Sequence, residues 1–234
     1  MTGPIWALLT DDIHDENEGC YREIDELDGD IRAVKPLDMS IDIGANPLAI
    51  TAWWDSGRHM DTTHMPTRLR VTASGCRKDR PAYYCDFGRA FVSTTIVTSA
   101  FRDVIEAHDP GIHQFVPVQI EDGHGDVIDL EFFYFAVGYR VFALDRERSQ
   151  PPVRHYPTGP DWRNPYDDGP AIRADQRGDP KDWVPVFRSE IIGDRDLFCD
   201  GGFRNRILIS DRLKQALEAA DLVGMQFVGP YSVV

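Results

Sequence analysis

No run of about 18 apolar residues occurs in the chain, so its pattern excludes a membrane-crossing helix. The opening stretch from Met1 to Asp12 has neither the basic flank nor the long apolar segment of a secretory leader, and a cytoplasmic location is expected. Cysteine is scarce: Cys20, Cys76, Cys85 and Cys199 contain no CxxC spacing, which removes a zinc ribbon and a dithiol redox motif. They are expected to be reduced and structural, a Cys76 to Cys85 bridge being reasonable only in an exported protein. Also missing are GxGxxG, GxxxxGKS/T, GxSxG and HExxH, the common signatures of nucleotide, acyl-transfer and metalloprotease chemistry. No cofactor and no catalytic residue is therefore expected.

Basic side chains are the minority, 25 against 39 acidic, for a formal net charge of −14. Such a field repels nucleic acid and anionic membrane and attracts a basic partner; it also serves a cytosolic protein simply as a means of staying soluble. Apolar content is ordinary: 42% hydrophobic and 11% aromatic residues suffice for a globular core.

Ile5-Trp6-Ala7-Leu8-Leu9 reads as a strand. Between Asp11 and Asp30 ten carboxylates face one arginine, Arg22, a density that has to be solvated. It fits either a mobile loop or a segment ordered by a basic partner. Thr67 to Val71 alternates like a short strand, and Pro81 to Val92 reads as strand, turn, strand, broken at Gly88. Asp129 to Val137 and Tyr139 to Leu144 read as buried strands, preceded by a hairpin-type turn over Glu121 to Asp126. Ser149 to Phe187 holds eight of the sixteen prolines together with Tyr156, Trp162, Tyr166 and Trp183. It cannot form a regular ladder, and its rings either bind a partner or tack the loop to the core.

The clearest organisation is an internal repeat: Ile96 to Val116 and Leu208 to Val228 match at a constant offset of 112 residues. Thr98 pairs with Ser210, Phe101 with Leu213, Ile105 with Leu217, Asp109 with Asp221 and Phe115 with Phe227. In each copy a β-rich run ends at a hydroxyl residue suited to cap a helix, and apolar residues then follow at i, i+3 and i+4. The expected class is α+β: a mixed sheet with two similar strand-helix-strand units, about residues 93–118 and 205–230, and a long Pro-rich loop. The repeat alone leaves open whether the copies share a sheet. The expected division is an N-terminal α/β segment with the acidic stretch, residues 1–80, and a core domain, residues 81–234, unless the two are continuous.

His59 with His64, and Asp122, His124 and Asp126, come nearest to metal ligands, but neither spacing fixes two ligands on one helix face, and no metal site is expected. Cys199 has little local basic support for a lowered thiol pKa, and His113 is expected to serve as a hydrogen-bonding residue of the core or an edge.

The segments Val97 to Phe101, Ile105 to Ala107, Gly111 to Val118, Arg188 to Phe198 and Ile207 to Phe227 together resemble the eleventh numbered family of bacterial polymorphic-toxin immunity proteins, over roughly residues 80 to 228. The resemblance implies a non-enzymatic protein that neutralises a cognate toxin delivered between cells by contact or by a secretion system such as type VI. It carries over no catalytic residue, and the toxin-binding surface is not inherited from it. Charge and aromatic content nominate that surface instead: Asp11, Asp12, Asp15, Glu16, Glu18, Glu23, Asp25 and Glu26 in the acidic stretch, and Trp162, Tyr166, Asp167, Asp168 and Trp183 in the Pro-rich segment. The natural partner for such a surface is a basic toxin, for example a nuclease; binding to nucleic acid or membrane is not expected. Two other classes stay open: a small-ligand-binding regulatory domain with a pocket at Trp53-Trp54, and an enzyme that reverses a toxin's modification.

Overall fold

The structure, a computed structural model, describes residues 3–10, 22–37, 57–73, 86–90, 94–145, 147–149, 184–200 and 207–234. In chain order its elements begin with β1 (Ile5–Thr10), β2 (Arg22–Glu26), β3 (Arg68–Ala73), β4 (Phe87–Ala90) and β5 (Thr94–Thr98). Then come α1 (Ser99–His108), β6 (Gln114–Glu121), β7 (Phe132–Ala136), β8 (Arg140–Val141) and β9 (Val186–Phe187). The chain closes with α2 (Ser189–Ile192), β10 (Leu197–Asp200), β11 (Ile207–Ser210), α3 (Asp211–Ala219) and β12 (Met225–Val233). The fold is α+β, with two mixed sheets ordered β2-β3-β6-β7-β5-β4 and β8-β10-β11-β1-β12-β9.

The two repeat units lie in different sheets and share one design. In the first, β5 and β6 both run antiparallel to β7, which is inserted between them. In the second, β11 and β12 both run antiparallel to β1. Each helix therefore joins two parallel strands that are separated by a third, and the third comes from outside the repeat. Each unit also has a preceding antiparallel strand, β4 on β5 and β10 on β11. Strands from the first 80 residues complete both sheets, because β1 is central in one while β2 and β3 extend the other. Gly88, expected at a turn, lies inside the single strand β4, and residues 81–85 fall outside the described set.

Side-chain alternation makes each sheet bury both faces. Val97, Phe133 and Phe135 point to one side of the first sheet, where they meet Phe101 and Ile105 of α1; Leu8, Leu197, Ile207 and Ile209 of the second sheet meet Leu213 and Leu217 of α3 in the same cluster. Phe101 sits 5.1 Å from Phe87 and 5.4 Å from Phe135 between ring centroids. On the far side of the first sheet, Ile96, Tyr134, Val118 and Leu69 are covered by Ile31, Val34, Met60 and Met65 from the β2 to β3 connection.

The second sheet curls until one segment serves both of its edges. Arg140 and Val141 pair with Cys199 and Asp200 at one edge; just beyond, Asp145 N–H donates to Val186 O (2.7 Å) and Arg188 N–H to Ala143 O (2.8 Å) at the other. Buried Asp200 fixes the bend, its Oδ2 accepting the amides of Ala143 (2.6 Å) and Leu144 (3.1 Å). The result is a small barrel-like closure filled by Ile5, Ala7, Phe187, Phe198 and Leu208.

The helix starts differ. Ser210 caps α3, its Oγ accepting Leu213 N–H at 3.0 Å. Thr98 does not cap α1: its hydroxyl donates to Asp86 Oδ1 at 2.6 Å, a stronger charge-assisted partner than a backbone amide.

Because Phe101 and Leu213 fill equivalent positions in one shared core, Phe101→Ala is expected to cost about 3–5 kcal/mol and Leu213→Ala about 2–5 kcal/mol. Each should lower a single urea transition. A biphasic curve, with only the altered unit unfolding early, would show that the units are independent.

Candidate functional site

Asp11, Asp12, Asp15, Glu16 and Glu18 lie outside the described residues, as do Trp162, Tyr166, Asp167, Asp168, Trp183 and the Trp53-Trp54 pair. Glu23, Asp25 and Glu26 lie on β2, so this end of the acidic stretch is an ordered strand at the margin of the first sheet. Its partner is β3, with Asp25 opposite Arg70 and Glu26 opposite Leu69. Asp25 is exposed; Glu26 is half-buried, its Oε2 accepting Ile31 N–H at 3.2 Å. Just beyond, Asp28 accepts the Thr67 hydroxyl (2.7 Å) and the amides of Thr67 (2.6 Å) and Arg68 (3.1 Å). The Thr67 hydroxyl, with those amides, holds the Asp28 carboxyl below its usual range.

Glu121, buried at the end of β6, takes both β3 arginines: Arg68 on Oε1, and Arg70 on Oε2 at 2.7 Å. Arg70 and then Arg68 keep this carboxyl ionised to lower pH than usual. The next turn closes over the pair, with Asp122 Oδ1 accepting the amides of His124 (2.8 Å) and Asp126 (3.0 Å), which lower its pKa. Gly125, at φ +90°, lets the turn pass beside the Arg70 guanidinium. With these arginines paired inward, Asp25, Asp126, Asp129 and Glu131 stand exposed around them.

A second polar cluster joins the two units. Asp109, which ends α1, is buried and accepts the amides of Asp196 (2.9 Å) and Leu197 (2.8 Å) at the start of β10. Asp196, also buried, receives Ser210 Oγ–H on Oδ1, and His108 Nδ1–H (2.9 Å) and Arg212 on Oδ2. Burial alone would push the Asp196 pKa up, but the bonds from Arg212, Ser210 and His108 outweigh it and the net shift is downward. His113 Nδ1 accepts Gly138 N–H at 3.2 Å, which places the ring hydrogen on Nε2, 3.6 Å from Asp109 Oδ2.

Serine, histidine and aspartate thus meet here, but not in the order nucleophilic catalysis needs. Ser210 gives its proton to the carboxylate and accepts a helix amide, while His108 contacts the carboxylate and not the hydroxyl. The cluster caps a helix and fastens a strand. No sequence spacing pointed to Asp109 and Asp196, because their donors lie 87 and 14 residues away.

Among the described residues no three His, Cys, Asp or Glu side chains converge as metal ligands. His59 Nε2 pairs with Ile112 O (2.8 Å), and Asp122 is committed to its turn. Cys199 is buried in β10. An open depression of about 280 Å³ lined by Pro4, Pro230, Tyr231 and Ser232 brings no carboxylate, histidine, cysteine, lysine or arginine to its walls. No helix among the described residues is long and apolar enough to cross a membrane.

Compared with known families, residues 32–229 match the model described as an immunity protein family, Imm11. The match reaches almost fifty residues further toward the N-terminus than the likeness visible in the motifs alone. No curated protein matches the chain.

Asp196 links the network to pH. Its folded pKa lies below the ordinary 3.8, so its ionised form stabilises the fold above that pH, and the contribution is lost as pH falls through the folded value. Asp196→Asn should lower stability by about 2 kcal/mol at pH 7, and the gap from the parent protein should narrow below pH 4. Urea midpoints across a pH series check this; a gap of constant size would remove the charge from the explanation.

Proposed function

The chain belongs to the Imm11 family of immunity proteins, and from that membership we propose that it neutralises a cognate toxin by binding it directly and covering its working surface. The family match carries the reading. Charge supports the mode of action: a net −14 favours a basic partner and steers the encounter at long range. Also in support, the buried carboxylates Asp109, Glu121 and Asp196 are engaged within the fold, whereas Asp25, Asp126, Asp129 and Glu131 face solvent and are free to meet lysines and arginines. A phosphate-binding toxin such as a nuclease is the proposed target class, since it has to carry those cations to hold its own substrate.

Co-expression with the toxin encoded by the adjacent reading frame should restore growth, and the two products should co-purify one to one. Raising salt from about 0.05 to 0.5 M should slow association roughly tenfold or more while changing dissociation little. Loss of protection would remove the immunity reading. A salt-independent association rate would remove only the steering.

A further inference from the structure

Among the described strands, β2 leaves one side of its sheet open. The second sheet closes on itself through residues 140–145, leaving no long open edge among its described strands. The β4 margin of the first sheet is anchored to the other unit at its start, where the amides of Asp86 (3.0 Å) and Phe87 (3.4 Å) donate to Val223 O and Val223 N–H donates back to Asp86 Oδ2 (2.9 Å). On its outer side, β2 pairs with no other described strand.

Hydrogen-bond phase fixes which groups this edge offers. Leu27 N–H donates to Arg68 O, and Thr67 O, one residue earlier on β3, accepts instead from Gln119 of β6. In an antiparallel pair the inward and outward positions alternate, so Glu23, Asp25 and Leu27 exchange bonds with β3, and the amides and carbonyls of Ile24 and Glu26 point outward. Four backbone groups are thus set at the spacing a further strand needs.

Resting on the immunity reading above, we infer that β2 is the edge onto which a basic, extended segment of the toxin adds as a strand. Sign of charge chooses the occupant. Glu23, Asp25 and Glu26 share this five-residue strand with Arg22, and Arg68 and Arg70 of the neighbouring strand are turned to Glu121, leaving the exposed Asp25 carboxylate to meet an incoming chain. A second copy pairing here would set carboxylates against carboxylates, whereas a lysine- or arginine-bearing strand would complement them. Backbone bonds supply the affinity in this mode and alternate side chains supply the selectivity.

The test uses the full chain, free and in complex with the toxin encoded by the adjacent reading frame. In the free chain the Ile24 and Glu26 amides should exchange with solvent faster than those of Asp25 and Leu27, and they should slow at least about tenfold in the complex. Asp25→Lys should weaken the complex about tenfold or more, mainly through association, with the free chain still unfolding in one urea transition. Glu190→Lys, an equal change of charge on exposed α2 away from this edge, should weaken it far less. A complex in which Ile24 and Glu26 keep their free exchange rates, or in which both lysine variants lose affinity alike, overturns the edge proposal and leaves immunity standing. A free chain that is dimeric with those amides already slow assigns the edge to a second copy and overturns it too. Absence of any complex overturns both readings.

Discussion

A carboxylate taken out of water has to find donors, and those that Asp109 finds belong to the other half of the molecule. Standing at the end of α1, it holds the two amides that begin β10. The reverse connection runs through Asp86 and Val223, where the start of β4 meets the loop after α3. Each hairpin therefore hangs from the far end of the opposite unit's helix. This reciprocal fastening keeps α1 and α3 packed against each other, and it lets one apolar cluster serve both sheets.

Local pattern carried much of this fold. The constant offset identified both strand-helix-strand units, and it carries β5, α1 and β6 onto β11, α3 and β12. The turn at Asp122 to Asp126 and the buried run in β7 were equally plain, because turn residues and unbroken apolar stretches are local signals. Pairings between distant segments were not legible. Nothing near Ile5 says that this strand will lie between residues 207–210 and 225–233. The closure of the second sheet depends on strands of two residues, too short to show a period. Thr98 looked like a cap because its type permits it; Asp86, placed opposite by the β4 to β5 register, captured its hydroxyl instead. For β2 the carboxylates that suggested a solvated loop hid a strand whose single half-buried apolar residue, Ile24, packs against the core.

The two sheets differ in how they end. One has sealed its margins by curling, which suits a scaffold. The other buries both faces, yet ends on one side in a strand written mostly in negative charge. Buried carboxylates serve turns, a helix cap and the junction between units. This arrangement keeps the edge proposed for toxin contact separate from the residues that maintain the core.

The place of β1 in the second sheet bears on how the molecule is made. A ribosome releases Ile5 to Thr10 some two hundred residues before both neighbours of that strand. The first unit, whose strands and helix lie between residues 87 and 136, has all its pairing partners much sooner. Folding during translation is therefore staged: the earlier half can assemble on the growing chain, while the opening strand waits for the closing ones before the barrel can shut.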